Sequence, residues 1–222
     1  MSTAPRPVHE HEFEPQHGLP ERLPAGERLL WQGAPNWQLL ARRVFHVHHV
    51  ALYFAALLVW HAGGVIADGG DLAQALRGSG LLASLLLLAL SALLLLAWLS
   101  ARTTVYTITD QRIVMRIGIV LTVAYNLPLR CIEAADLRKA SAGSGDIALT
   151  LERRTRIAWL HLWPHARPWR VARPQPMLLA LPDAQAVSSL LAQAWSAANG
   201  APARPAAQAA PTPQLTPALD HR

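Results

Sequence analysis

The sequence predicts a membrane protein of the α+β class. A two-helix transmembrane hairpin is followed by an antiparallel β-barrel or sandwich, which a C-terminal amphipathic helix caps. Three observations carry this. Residues 47–67 and 81–100 are apolar runs without a single Lys, Arg, Asp or Glu. Residues 103–139 place β-branched side chains on a period of two between Asp and Gly turn signals, the pattern of a hairpin or meander. Val187, Leu190, Leu191, Ala194 and Trp195 recur at helical spacing near the C-terminus.

Residues 1–25 are polar and rich in Pro, His and Glu, which predicts a disordered tail with no cleavable signal pattern. His9, His11 and His17 belong to that solvated tail rather than to a metal site. Residues 26–46 form a pre-membrane segment, in which Trp31 and Trp37 flank a Gly-Ala-Pro turn and can dock on a domain or sit in the interface.

A hydrocarbon core of about 30 Å needs about 20 apolar residues in a helix, and both runs suffice. Tyr53, Trp60 and Trp98 add amphipathic anchors, and residues 68–80 join the helices. Arg42 and Arg43 precede the first helix and Arg102 follows the second, whereas the connection carries only Arg77. The positive-inside rule then sets both termini in the cytoplasm and the connection on the periplasmic side.

His46, His48 and His49 fall at the cytoplasmic edge of the first helix, within reach of water and headgroups. His61 falls inside it, where an ionisable group marks a functional candidate. Its imidazole can bond a neighbouring helix, the favoured reading, or ligate the metal of a porphyrin-type pigment. No other cofactor and no metal is expected.

Residues 101–198 form the cytoplasmic domain. The first three β-runs are 104–109, 113–118 and 119–125; the fourth, 128–138, is a strand or bent edge. A turn over 141–146 precedes a strand at 147–151, and residues 157–162 read as the next. The segment His165–Pro176 holds three Pro and three Arg, which predicts a long basic loop before an edge strand at 177–181. Asp183 suits the N-cap of the final helix, and Asn199-Gly200 its end. Residues 199–222 are Ala/Pro-rich and predicted to be disordered. The single cysteine, Cys131, reads as a small buried hydrophobe on a strand.

Charge is uneven. Residues 101–173 carry twelve basic groups against five acidic ones, a net +7, while the flanking segments are close to neutral. Arg153, Arg154 and Arg156 cluster in one turn. Arg167, Arg170 and Arg173 cluster in another, interleaved with Trp163 and Trp169. Guanidinium groups suit phosphate and Trp suits the bilayer interface, so these eight residues are the candidate contact for anionic lipid or an acidic partner. A membrane-tethered sheet without a recognition element makes nucleic acid a poor partner. The chain has no Gly-rich phosphate loop, no CxxC pair and no HExxH motif. Asp110, Glu133, Asp136 and Asp146 read as satisfied turn or strand-end carboxylates, so a non-enzyme is expected.

About seven short strands closed by one helix is the pleckstrin-homology-like (PH-like) order. Gly26-Glu27, Leu30-Trp31, Gly33, Pro35 and Trp37, then the hairpin, then Tyr106–Ile113 and Gly143–Ile147, resemble the bacterial membrane-anchored PH-like family. Within it, Arg116–Leu129 is similar to the photosynthetic-complex assembly proteins of purple bacteria. The resemblance covers roughly residues 26–197. It implies a non-enzymatic helper that holds reaction-centre or light-harvesting subunits, or pigment, during assembly; it transfers no catalytic or ligand residue, and bacteriochlorophyll rests on His61 alone. The alternative is a general PH-like scaffold that binds anionic lipid or a peptide. Leu/Ala packing of the hairpin also admits a homo-oligomer.

Overall fold

The computed structural model describes residue 19 and residues 21–119, 121–140, 143–152, 157–170 and 172–200. Most of the tails expected at 1–25 and 199–222 lies outside these, as does the turn bearing Arg153, Arg154 and Arg156.

The chain begins with a strand. β1 (Leu29–Gly33) is followed by α1 (Trp37–Arg43), which Asn36 caps by accepting hydrogen bonds from the backbone N–H groups of Gln38 and Leu39. The apolar runs become α2 (Val47–Ala67) and α4 (Gly80–Thr103), both long and apolar enough to cross a membrane. At 1.5 Å per residue they are about 31 and 36 Å long. Between them, α3 (Leu72–Gly78) starts at a capping box. The Asp71 side chain accepts from the Gln74 N–H, and the Gln74 side chain accepts from the Asp71 N–H.

Beyond α4, strands β2 (Val105–Thr109), β3 (Arg112–Ile117) and β4 (Val123–Pro128) join β1 in an antiparallel sheet of order β1-β2-β3-β4. A 3-10 turn (Leu129–Cys131) leads to β5 (Ile132–Lys139). Strands β5, β6 (Gly145–Leu151) and β7 (Met177–Leu181) form the second antiparallel sheet. Helix α6 (Ala184–Asn199) closes the unit and ends at Gly200, whose positive φ of 63° is the left-handed C-cap.

Four expectations are corrected. First, a domain starting at residue 101 lacks a strand: β1 pairs with β2 through Trp31–Ile108 and Gly33–Tyr106, so the helical hairpin is an insertion between two paired strands. Trp31 accordingly packs on the core rather than in an interface. Second, residues 159–162 form a one-turn helix, α5 (Trp159–Leu162), which buries Leu162, rather than a strand. Third, the run expected at 119–125 shifts to 123–128 because Gly118, at φ 125°, begins the turn; Pro128 lies opposite Arg112 on the sheet edge. Fourth, Cys131 closes a 3-10 turn and is half-buried.

The core lies between the sheets and α6. Cross-strand partners Tyr106/Met115 and Ile108/Ile113 face it from one side, and Leu137/Ile147 and Leu178 from the other. Val187, Leu191 and Ala194 of α6 fill the open edge, and the Trp195 indole N–H donates to the Ile132 carbonyl at 2.8 Å. Asp183 takes the N-cap position, but its side chain makes no cap bond; its carbonyl accepts from the Val187 N–H instead.

Candidate functional site

The base of the hairpin is where the helices and the sheet become one body. In the β5-β6-β7 sheet, Ile147 and Leu149 point to the core. Ala148, Met177, Leu179 and Ala180 turn the other way, onto Leu40, Ala41 and Phe45 and onto Ala97 and Ala101 of α4. Five of these nine side chains are Ala, so the helices approach the sheet closely.

A polar clamp closes this contact. Arg43 donates to both carboxylate oxygens of the buried Asp146, at 2.6 and 3.3 Å. Leu179 and Ala180 stand opposite the single residue Asp146, which makes a β-bulge with Ala180 at φ 53°. A non-glycine residue in the left-handed region costs on the order of 1 kcal/mol. Here the Ala180 N–H donates to Asp146 at 2.9 Å and its carbonyl accepts from the Asn36 N–H at 2.9 Å. One carboxylate thus ties the last turn of α1 through Arg43, and Ala180, which it also holds, ties the N-cap Asn36.

A second polar node sits where α4 passes into β2. The buried His165 Nδ1 lies 2.7 Å from the Tyr106 hydroxyl, and Nε2 lies 3.1 Å from Thr104 Oγ1. The Tyr106 hydroxyl also accepts the Leu179 N–H, so both ring nitrogens are bonded within one buried cluster, with their donor and acceptor roles set by the tautomer. Burial lowers the His165 pKa to about 3 and raises that of Tyr106. An enclosed neutral imidazole with both nitrogens bonded is a structural tie.

The predicted contact residues divide. Arg153, Arg154 and Arg156 lie outside the described residues. Arg167 is paired at the half-exposed surface of the sheet: it donates to Asp136 at 3.1 Å and to Gln175 at 3.0 Å, while Gln175 donates to Thr150. Trp163 packs edge-on against Phe45 with ring centroids 6.0 Å apart, just before α2 begins. Trp169 is 97% exposed, and Arg170 and Arg173 are exposed. Of the carboxylates, Asp110 accepts the Arg28 N–H, and Glu27, which the sequence did not single out, binds Arg112 through two contacts of 2.8 Å.

His61 faces α3. Its Nε2 is buried without a hydrogen-bond partner, and a Cβ added to Gly78 would lie 2.6 Å from it. The expected helix–helix hydrogen bond is therefore not made by this nitrogen; the ring packs over a glycine, and pigment ligation at Nε2 would require α3 to move away. His46, His48 and His49 cluster at the start of α2, with the last two ring centroids 4.0 Å apart. Among the described residues no group of three or more His, Cys, Asp or Glu side chains has an arrangement that could hold a metal ion.

Sequence alone did not single out Asn36 or Ala180 and did not join Arg43, read there as a membrane-orienting charge, to Asp146, read as a satisfied carboxylate. The one available signal for the pair was Asp146 following Gly143-Ser144-Gly145 at a strand start.

The family described as the bacterial PH domain matches residues 50–195. An uncharacterized 23.7 kDa protein in the puhA 5′ region of Rhodobacter capsulatus is 37% identical over 201 residues, spanning 85% of this chain and 89% of that protein. No solved structure matches. With this family match and this relative, and with two antiparallel sheets closed by a C-terminal helix, the chain belongs to the bacterial PH domain family.

Proposed function

We propose that this chain is a non-enzymatic membrane assembly factor for the photosynthetic reaction centre and light-harvesting complex, the role of the PuhB proteins that residues 116–129 resemble. It holds membrane subunits while they are put together. The observation that carries this reading is the insertion of the apolar hairpin between β1 and β2. A hairpin rooted at both ends in a folded domain, and clamped by Arg43 and Asp146, keeps a fixed posture beneath that domain. Its outward Leu52, Val59, Trp60, Leu81, Leu87 and Leu88 are exposed, a surface suited to lipid and to the helices of other membrane proteins. The relative's place in the puhA 5′ region supports a photosynthesis-related role.

In this reading both helices span the inner or intracytoplasmic membrane. Arg42, Arg43 and Arg102 keep the PH-like domain and both termini cytoplasmic, and Arg77 alone lies on the far side. The partners are reaction-centre or light-harvesting subunits, or a second copy of the chain. A deletion strain tests the proposal: reaction-centre absorbance falls and is restored by the full chain but not by the PH-like part without α2 and α4. Normal reaction-centre levels in that strain refute it and leave the general lipid- or peptide-binding scaffold.

A further inference from the structure

Residues 163–170 and 172–173 leave the edge of the second sheet near the base of the helical hairpin. Their stem is pinned there: Ala166 bridges Pro176, and the Arg167 N–H donates to the Gln175 carbonyl at 2.9 Å. Arg167 and Gln175 then bind Asp136 and Thr150. Asp136 is the cross-strand partner of Ala148, so their side chains share a face. Ala148 is packed with α1 and α4, so that face is the helix-facing one. The stem thus pairs along the edge of the sheet, with Ala166 turned to the core and the Arg167 and Gln175 side chains on the helix-facing side, beside the base of the hairpin.

Its start is fixed in depth as well. Trp163 packs on Phe45, two residues before the apolar helix α2, and at the end of α4 the Arg102 guanidinium covers Trp98 at 5.2 Å. From this platform the segment projects Trp169, at φ 64°, with Arg170 and Arg173; no ion pair holds either arginine among the described residues. A fully exposed indole between guanidinium groups is costly in water and well suited to the headgroup layer, where the ring finds acyl carbon and the cations find phosphate.

We infer that residues 163–170 with 172 and 173 are a third membrane contact, with Trp169 entering the interface and Arg170 and Arg173 binding anionic headgroups, so that the PH-like domain is held flat against the bilayer. This rests on the reading that α2 and α4 span the membrane. Two basic groups at about 1 kcal/mol each make the docked state about 30-fold more favourable on an anionic surface than on a neutral one.

The test uses the full chain with Cys131→Ser and Ala172→Cys, labelled at 172 with an environment-sensitive fluorophore. It is reconstituted in phosphatidylcholine vesicles with or without phosphatidylglycerol, each carrying a headgroup-level nitroxide quencher. The expected result is strong quenching with phosphatidylglycerol, reversed by salt and by Arg170→Gln/Arg173→Gln. Trp169→Asn, whose new side chain tolerates a positive φ, also reduces quenching. Quenching that ignores lipid charge, or an unquenched label while the hairpin resists alkaline extraction, overturns the inference. Release of the chain by alkali overturns the spanning reading itself.

Discussion

Arg43 and Asp146 lie 103 positions apart in sequence, yet their side chains meet in a two-point ion pair that joins the segment before the hairpin to the sheet built after it. The carboxylate has a second duty, accepting the N–H of the strained Ala180. Helices α2, α3 and α4 therefore lie, with strands β2 to β5, inside one long stretch of chain that this contact closes.

The two duties separate under mutation. Asp146→Ala leaves both the Arg43 guanidinium and the Ala180 N–H without an acceptor and should cost about 3 kcal/mol. Asp146→Asn keeps an oxygen for Ala180 and should cost about half as much. Urea unfolding in detergent, followed by far-UV circular dichroism, gives both values; equal losses would mean that the bulge does not need the acceptor.

His165 gives the fold an acid-sensitive element. Burial holds its imidazole neutral down to about pH 3, below its ordinary value of 6.5. The unfolded chain therefore takes up a proton below pH 6.5 that the folded chain refuses until about pH 3. The stability this residue contributes is complete above pH 6.5 and is lost as pH falls through that window, by up to about 1.4 kcal/mol per pH unit. His165→Gln keeps an acceptor and a donor but does not titrate. The urea midpoint of the parent should fall more steeply between about pH 7 and pH 5 than that of the variant; parallel curves would contradict this.

The sequence made legible what short-range patterns encode. Both apolar helices, the β2–β3 hairpin, β6, β7 and α6 follow from composition and period within a dozen or so neighbouring residues. β1 did not, because LLWQG is short, ends in glycine, and finds its partner only across the whole hairpin. Residues 157–162 alternate like a strand, but burying Leu162 against the core is satisfied by one helical turn. At the candidate site, charge could not sort the arginines. Arg167 and Arg170 look alike in sequence, and only the Asp136 and Gln175 side chains brought up by β5 and the loop stem make one structural and leave the other exposed.

Gly78 and His61 should show coupled effects. Gly78→Ala pushes a methyl group into the imidazole and should destabilise the chain by about 1–3 kcal/mol. In a His61→Ala background the space is open, and the same change should be neutral or stabilising by up to about 1 kcal/mol, the helix preference for Ala over Gly. Thermal unfolding of the two single variants and the double variant decides it. Additive effects would place the ring elsewhere.

The inserted topology makes the sharpest demand. Residues 101–198 alone lack β1, which pairs with β2, and lack Leu40, Ala41 and Phe45, which cover Ala148, Met177 and Leu179. Such a fragment exposes an unpaired strand edge beside an apolar sheet face, and it should aggregate rather than melt cooperatively. A chain that keeps residues 26–48, replaces 49–94 with a flexible Gly/Ser linker, and resumes at 95–200 retains β1, α1, the Arg43–Asp146 pair and the end of α4 that buries Ala97 and Ala101. It loses most of the apolar surface of α2 and α4 without losing a strand, so it should be soluble and unfold in one transition. Circular dichroism and size-exclusion chromatography of the two chains distinguish the outcomes. If the 101–198 fragment folds as well as the linked chain, β1 and α1 are accessories and the hairpin is a simple anchor. If only the linked chain folds, the hairpin is held at both ends by the domain, and a force on either helix reaches the sheet directly.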